Sequence, residues 1–328
     1  MVKIQNVQNI GLDIGRGFVK AFSTYEGKDY SLTFKSVASL RGFRMDTSKL
    51  AKEEKLAYKV EGIDSEFFVG TLAEKEGYSP IKNSDDSKVS LIAEKLLLGA
   101  LHQIAKSEDV RINLGVPNRQ FTAEVRKEIK EKYKGKKYKI INTFTKEEKE
   151  IKIIDIDIFK ESDSALMYYL SANPNKIPKG KNHIMINSGF RTTEIAYYTE
   201  DLQYNSRNSF SIELGTQNVL DYCKSVLEEQ GIYKDLQEID SSNKYDQLKE
   251  MIFRSVTEGI EQEIKTRIKD LKELNVFFSG GTALNLKNIT IDHILIDNPQ
   301  MATAKGLFMI LDNMVKAKGD KSNGKKKQ

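Results

Sequence analysis

The stretch Asn9-Ile-Gly-Leu-Asp-Ile-Gly-Arg-Gly-Phe-Val-Lys20 combines an apolar strand, a polar residue, a glycine-rich turn and a β-rich return strand. The stretch His183-Ile-Met-Ile-Asn-Ser-Gly-Phe-Arg-Thr-Thr-Glu194 repeats that order. In each, a polar residue (Asp13 or Asn187) precedes a glycine by two positions. Two similar strand–turn–strand units indicate two related half-domains that face each other across a cleft. A nucleotide is the usual occupant of such a cleft.

Length and composition are typical of a soluble globular protein with two domains. The chain has 328 residues, of which 39% are hydrophobic and 30% are charged, enough for two cores. We find no apolar run of membrane-spanning length and no secretion signal, so we expect a cytoplasmic protein without a membrane span. The single cysteine, Cys223, excludes an intrachain disulfide and a cysteine-rich metal site.

The positive charge is concentrated at the C-terminus. The net charge is +5, and residues 316–328 carry six lysines and one aspartate. The rest of the chain is therefore close to neutral, which argues against direct binding of nucleic acid. Residues 317–328 contain almost nothing that could be buried, and we expect a disordered, solubilising tail or a weak contact with a polyanion.

Strands and helices alternate in the same way in both halves, which indicates an α/β protein. In the first half we expect strands at 8–14, 17–24, 29–38, 67–70, 111–116, 138–144 and 150–156, helices at 90–104, 124–133 and from 163, and a loop or short-helix insertion at 42–60. In the second half we expect strands at 183–188, 192–199, 207–213, 275–278 and 290–296, and helices at 215–230, 245–273 and 302–316.

The first glycine turn has the residue types of a phosphate site. Gly15 and Gly17 let backbone N–H groups approach an anion closely, since no Cβ blocks the way. Lys20 would place a point charge on the β- or γ-phosphate. Asp13 would hold Mg²⁺ through water. Taken alone, this motif also fits a plain hairpin with a glycine-rich turn.

Two further motifs extend this interpretation. The second hairpin offers Gly189 with donors from Thr192 and Thr193, which could bind phosphates from the other side. The segment Ser279-Gly-Gly-Thr282 follows an apolar strand and precedes residues that can begin a helix. Such a turn offers backbone amides and room for a flat base or a phosphate, although a tight structural turn would look the same.

With these three motifs in order, the chain resembles the actin, heat-shock chaperone and sugar-kinase superfamily over nearly its whole length. Within it, the chain is most similar to the ParM-type plasmid-segregation actins. That resemblance rests on the first hairpin, Phe68-Val-Gly70, the Glu161-Ser162 pair and Asn298-Pro-Gln300 followed by Ala304-Lys-Gly306. It implies an actin-like, ribonuclease H-like fold: duplicated domains whose mixed five-stranded sheets flank a nucleotide cleft. We expect domain I at 1–164 with the 302–316 helix packed back on it, domain II at 165–301, and the tail at 317–328.

The resemblance also implies the site residues. Glu161 would position the attacking water, with Asp13 and Asn187 as the other catalytic residues, and Asp13 facing Mg²⁺. ATP or ADP, with GTP as the alternative, would be bound by Gly15, Arg16, Gly17, Lys20, Ser188, Gly189, Arg191, Thr192, Gly215, Gly280, Gly281 and Thr282. The family usually has Asp where this chain has Asn187, and we expect weaker Mg²⁺ ordering or slower hydrolysis as a result.

The function that the resemblance implies is a nucleotide hydrolase that forms head-to-tail filaments and moves plasmid DNA. Non-closing head-to-tail contacts generate filaments. DNA would be reached only indirectly, through a centromere-binding adaptor protein, which agrees with the neutral body. The alternatives are a small-molecule kinase of the same superfamily and a non-segregating prokaryotic or archaeal cytoskeletal actin. For a kinase, we identify neither substrate-binding insertions nor a catalytic base. A membrane-tethered scaffold would need an amphipathic terminus.

Overall fold

The chain folds into two compact units. The computed structural model describes residues 7–42, 51–63, 65–83, 87–175 and 179–324. Unit 1 comprises residues 1–168 and 303–328, and unit 2 comprises residues 169–302. Each unit has its own sheet and its own hydrophobic core.

Unit 1 is built on a mixed sheet of ten strands. They are β1 (Gln8–Ile14), β2 (Phe18–Tyr25), β3 (Lys28–Lys35), β4 (Val37–Leu40), β5 (Ala57–Val60), β6 (Phe67–Val69), β7 (Tyr78–Lys82), β8 (Asp109–Val116), β9 (Lys137–Asn142) and β10 (Glu148–Lys160). Their order in the sheet is β3-β2-β1-β8-β10-β9-β5-β6-β4-β7. The first three strands are antiparallel neighbours, while β1, β8 and β10 run parallel.

Unit 2 repeats the first five positions of that sheet. Its strands are β11 (Asn182–Ser188), β12 (Thr193–Tyr198), β13 (Tyr204–Ile212), β14 (Leu274–Ser279) and β15 (Ile294–Leu295), in the order β13-β12-β11-β14-β15. Again the first three are antiparallel and the last three parallel. The two sheets therefore confirm the internal repeat and the duplicated α/β fold. The first sheet, however, has ten strands where five were predicted.

Helices cover the sheets. They are α1 (Gly70–Glu76), α2 (Leu91–Ile104), α3 (Ala123–Tyr133), α4 (Glu161–Ala172), α5 (Thr216–Glu229), α6 (Leu236–Ser241), α7 (Asp246–Arg267) and α8 (Ala302–Gly324). Side-chain caps fix where two of these helices begin. The hydroxyls of Ser90 and Thr122 accept hydrogen bonds from the Ala93 and Val125 amides, which caps α2 and α3. In the described ranges, no helix has the length and apolar character needed to cross a bilayer.

The structure corrects three further sequence-based expectations. Part of the loop predicted at 42–60 is strand β5, because Ala57, Tyr58 and Val60 are buried between β6 and β9; residues 43–50 lie outside the described residues. The last strand of unit 2 shrinks to Ile294–Leu295. A single 3₁₀ turn at Thr282–Asn285, instead of a helix, follows the glycine pair. Short strands and turns are fixed by tertiary pairing, which local patterns do not encode.

Helix α8 is also longer than predicted. The sequence predicts its end at Lys316 and a disordered tail, whereas the helix continues to Gly324. Lysine and alanine favour helix, and extending a helix that packing has already nucleated is easier than starting one. Residues 325–328 of the predicted tail lie outside the described residues.

Two glycines let α8 lie directly on the framework of unit 1. A Cβ at Gly11 in β1 would stand 2.1 Å from the carbonyl oxygen of Ala304. A Cβ at Gly306 would stand 1.8 Å from the carbonyl oxygen of Ser164 in α4. Neither neighbour is a flexible side chain, so the backbones touch where these glycines lie.

We expect Gly306→Ala to lower the free energy of unfolding by about 2–3 kcal/mol, because the added methyl group must displace the backbone of α4. Gly259→Ala in α7 is the matched control: its Cβ would meet only the tip of Leu214, at 3.2 Å. Alanine is the better helix former, so the control should be neutral or stabilising by up to about 1 kcal/mol. Thermal and urea unfolding followed by circular dichroism measure both, and equal stability of the two variants would contradict the close contact.

Candidate functional site

The first glycine turn ends in a buried ion pair. Asp13 of β1 lies opposite Lys20 of β2, and the Lys20 Nζ donates to Asp13 Oδ2 at 2.7 Å. Asp13 is only 4% exposed. Its other oxygen, Oδ1, is buried without a hydrogen-bond partner in the part of the chain that the structure describes. A buried acceptor of this kind fits a hydrogen bond from a metal-bound water.

The turn between these strands is held from outside through its carbonyl groups. The Gly15 amide donates to the Phe18 carbonyl at 3.1 Å, which closes the turn. Lys88 Nζ donates to the Ile14 carbonyl at 2.7 Å, and Asn83 Nδ2 donates to the Gly15 carbonyl at 3.2 Å. Lys88 and Asn83 are both buried.

Glu161 is the first residue of α4, directly after β10. The Glu161 side chain has room because Gly115 in β8 has no side chain. A Cβ at Gly115 would stand 3.1 Å from Glu161 Cγ. Lys88 Nζ lies 3.9 Å from Glu161 Oε1, so one buried ammonium group joins the turn to this carboxylate. Next to it, the Ser162 hydroxyl donates to Asn118 Oδ1 at 2.6 Å.

Two groups beside the turn have shifted pKa values. Burial lowers the pKa of Lys160, the residue before Glu161, and Asp163 opposes that shift. Burial raises the pKa of the Tyr133 phenol far above its ordinary value. Tyr133 is therefore a neutral donor at any physiological pH, and it donates to the Lys88 carbonyl at 2.8 Å.

The second glycine turn has the same strand register and the same closing hydrogen bond as the first. Asn187 of β11 lies opposite Glu194 of β12, as Asp13 lies opposite Lys20. The Gly189 amide donates to the Thr192 carbonyl at 2.9 Å, again three residues along. The repeat seen in the sequence therefore extends to the hydrogen bond that closes each turn.

Hydroxyl groups stabilise the second turn from within unit 2. The hydroxyls of Ser188 and Thr193 are buried and hydrogen-bonded to each other at 2.8 Å, and Thr193 donates to the Leu214 carbonyl. Arg191 lies 3.5 Å from Glu213 in a half-exposed ion pair. The predicted phosphate donors Ser188 and Thr193 thus hydrogen-bond inside the unit.

Thr282 joins the glycine pair to the second turn. Its hydroxyl donates to the Gly189 carbonyl at 2.6 Å and is hydrogen-bonded to Thr216 at 2.7 Å. Gly280 has φ +92°, and a Cβ there would stand 2.1 Å from the Ser188 carbonyl oxygen. Only glycine fits this contact without strain.

Gly215, Gly281 and Asn187 complete the group. A Cβ at Gly215 would stand 2.5 Å from the Gly189 carbonyl oxygen, whereas one at Gly281 would meet only the Gln300 side chain at 3.7 Å. Asn187 Oδ1 accepts from the Ser279 hydroxyl at 3.2 Å. Asn187 thus keeps an acceptor oxygen but contributes no charge.

Within each unit the predicted residues come together. In unit 1 these are Asp13, Gly15, Arg16, Gly17, Lys20 and Glu161; in unit 2 they are Asn187, Ser188, Gly189, Arg191, Thr192, Gly215, Gly280, Gly281 and Thr282. Sequence reasoning missed Asn83 and Lys88, which no local pattern marks because their partners lie about seventy residues away. Across the described ranges, no three His, Cys, Asp or Glu side chains form a metal-binding group.

Comparison with known proteins identifies the fold. Residues 11–162 match the family model described as the N-terminal domain of actin-like proteins. The archaeal actin homologue Ta0583 superposes with a TM-score of 0.78 at 18% identity, covering 94% of this chain and 100% of that one. Its complex with ADP gives 0.75 at 19%, with coverages of 93% and 99%. A ParM from a 15-stranded filament of Clostridium botulinum gives 0.77 at 19%, again covering 93% and 99%. No curated protein sequence matches the chain.

We expect Lys20→Met to lower the free energy of unfolding by about 3 kcal/mol, because it leaves the Asp13 carboxylate buried without a counter-charge. The double variant Asp13→Asn/Lys20→Met should recover most of that loss, since no charge then remains. Lys127→Met, which breaks the exposed Lys127–Glu131 pair on α3, is the control and should cause little change. Urea unfolding measures all three; a double variant no more stable than the single one would contradict the ion-pair argument.

Proposed function

Because residues 11–162 match the model of the actin-like N-terminal domain and the chain has the actin-like fold, we propose that this protein is an ATPase that assembles into filaments. The observation that carries the proposal is the pair of matched glycine turns, one with a buried carboxylate whose second oxygen has no partner among the described residues. ATP is the proposed nucleotide, with GTP as the alternative. A structural neighbour with bound ADP supports nucleotide binding.

In this proposal, Gly15, Arg16 and Gly17 bind phosphate through the turn backbone, and Lys20 adds positive charge beside it. Asp13 Oδ1 would accept a hydrogen bond from water bound to Mg²⁺. The ion, when bound, would shield the phosphate charge and make the terminal phosphorus more open to attack.

In unit 2, the proposed binding residues are Ser188, Gly189, Arg191, Thr192, Gly215, Gly280, Gly281 and Thr282. The Thr282 hydroxyl holds the turn backbone at Gly189, and the Ser188 hydroxyl is hydrogen-bonded to that of Thr193.

Glu161 is the proposed water-positioning residue. A carboxylate can accept a hydrogen bond from the attacking water and hold it in line with the bond that breaks. The ammonium group of Lys88 lies 3.9 Å from Glu161 Oε1 and adds a favourable charge interaction beside it. Asn187 is the third proposed catalytic residue, through its acceptor oxygen.

The proposed assembly is a head-to-tail filament of identical chains, favoured by bound ATP and weakened after hydrolysis. The ParM of a 15-stranded filament is about as similar in structure to this chain as the archaeal actin homologue is, which supports self-association. We further propose a role in plasmid segregation, with DNA reached through a centromere-binding adaptor. A cytoskeletal role without DNA and a small-molecule kinase are the competing outcomes.

Light scattering and sedimentation with Mg-ATP test the proposal. Scattering should rise on addition of Mg-ATP and decay as ATP is consumed, and a parallel series with Mg-GTP identifies the preferred nucleotide. Glu161→Gln should lower phosphate release by about a hundredfold and prolong the filament phase, because a neutral amide polarises the attacking water less than a carboxylate does. Asp163→Asn, on the same helix, is the matched control and should behave like the wild type. Absence of pelleting, with phosphate transfer to a sugar, would favour the kinase instead.

Asn187→Asp tests the asymmetry of the two turns. The substitution restores a negative charge where the family usually has one, so we expect tighter Mg²⁺ ordering and faster ATP hydrolysis, by several-fold or more. Phosphate release at saturating ATP, measured across a Mg²⁺ titration, gives both quantities. Unchanged turnover and unchanged Mg²⁺ dependence would mean that the amide does not limit catalysis.

A further inference from the structure

We propose that Asn83 and Lys88 are positioning residues that orient the phosphate-binding turn of unit 1 for nucleotide. They act by holding the carbonyl groups of two successive residues, Gly15 and Ile14. This inference rests on the proposed nucleotide binding and assigns it two residues that the motifs do not contain.

The geometry of the peptide group gives the reason. In a trans peptide the C=O and the following N–H point in opposite directions. Asn83 Nδ2 holds the Gly15 carbonyl at 3.2 Å, so the Arg16 N–H of the same peptide group points away from Asn83. Lys88 Nζ holds the Ile14 carbonyl at 2.7 Å, and the Gly15 N–H of that peptide group makes the turn-closing hydrogen bond to Phe18. Asn83 therefore sets the direction of the Arg16 N–H, and Lys88 supports the hydrogen bond that closes the turn.

Hydrogen bonds anchor the backbone of both residues, and both side chains are buried. The backbone N–H of Asn83 donates to the Ser36 carbonyl at 2.8 Å, and the backbone N–H of Ser36 donates to the Gly17 carbonyl at 2.9 Å. Asn83 and Lys88 are 3% and 5% exposed. The Lys88 carbonyl accepts from Tyr133, a residue without measurable exposure. A donor fixed in this way can hold a turn in its binding geometry before the ligand arrives.

The second turn supports this interpretation independently. The residue that corresponds to Gly15 is Gly189, and its carbonyl is held by the Thr282 hydroxyl at 2.6 Å. The two donors are an amide and a hydroxyl, and they come from unrelated parts of the two halves. Both hold the carbonyl of the same residue in the repeat. A hydrogen bond to that carbonyl is thus a shared feature of both turns, reached by different side chains.

The test compares ADP affinity in matched pairs of variants by isothermal titration calorimetry. We expect Asn83→Ala and Lys88→Met to weaken ADP binding about tenfold or more, because donors to a charged phosphate lose their alignment. The controls are Asn113→Ala and Lys149→Met. Asn113 Nδ2 also donates to a buried carbonyl, that of Leu307 at 3.0 Å, and Lys149 Nζ donates to those of His102 and Ala105. Neither control residue contacts the turn in the described structure, so both variants should bind ADP within about twofold of wild type.

A second readout separates positioning from general destabilisation. Adenosine has no phosphate, so its binding, followed by ligand-detected NMR at millimolar concentration, should be the same in Asn83→Ala and wild type. Lys88→Met should also lower turnover at saturating ATP more than Asn83→Ala does, because Glu161 loses its neighbouring ammonium group. If Lys88→Met does not fold, Asn83→Ala decides alone, since it removes no charge.

The outcomes are distinct. If wild type binds no ADP, the proposed function itself is wrong. If wild type binds ADP and the Asn83 and Lys88 variants bind it equally well, only the positioning role is overturned. Equal losses in test and control variants, or equal losses for ADP and adenosine, would likewise assign these residues to stability alone.

Discussion

The Asp13 carboxylate lies inside unit 1, at the end of a strand that is hydrogen-bonded on both sides. Lys20 donates a hydrogen bond to only one of its two oxygens. Burying a charged group is costly unless it is paired. The rest of the unit is arranged so that this charge is tolerable: the pair spans β1 and β2, and the turn beyond it is closed by the Gly15–Phe18 hydrogen bond. The remaining oxygen, Oδ1, stays buried without a partner among the described residues. An arrangement that leaves it so is easier to understand as a binding feature than as a stabilising one.

The repeat preserves geometry and changes chemistry. Both hairpins have the same register and the same turn-closing hydrogen bond. At the matching positions, however, unit 1 has a carboxylate and an ammonium group, whereas unit 2 has the Asn187 amide and Glu194. With Arg16 and Arg191 included, the positive charges exceed the negative ones in the turn of unit 1 and only balance them in that of unit 2. The backbone of the second turn is held by hydroxyls such as that of Thr282.

Much of the fold and of the candidate site can be predicted from the sequence, because the signals that mark them lie close together in the chain. A strand, a glycine turn and a return strand have patterns of their own, so both hairpins and most helices were predicted within a few residues. The glycine pair in the sequence drew attention to Gly280. Its φ of +92° explains why glycine is needed there, since other residues would be strained. The strands of the insertion in unit 1 were partly missed. Strand β7, for example, is exposed along its whole length and has no apolar alternation that would reveal it. Asn83 and Lys88 could not be found because their role depends on contacts between distant parts of the chain.

That insertion has a second consequence for the site. Five strands extend the sheet of unit 1 beyond the repeat: β4, β5, β6 and β7 form the insertion between β3 and α2, and β9 follows α3. Asn83 follows β7 directly, and Lys88 lies just before α2, where the chain leaves the insertion. Unit 2 lacks the insertion and holds its turn with side chains from its own core elements. The added strands therefore bring the two donors that hold the Ile14 and Gly15 carbonyls, and they do so beside the more highly charged of the two turns. If this turn binds the phosphates of a nucleotide as proposed, donors fixed in advance are an advantage, since fixed dipoles need no reorganisation when the charge arrives.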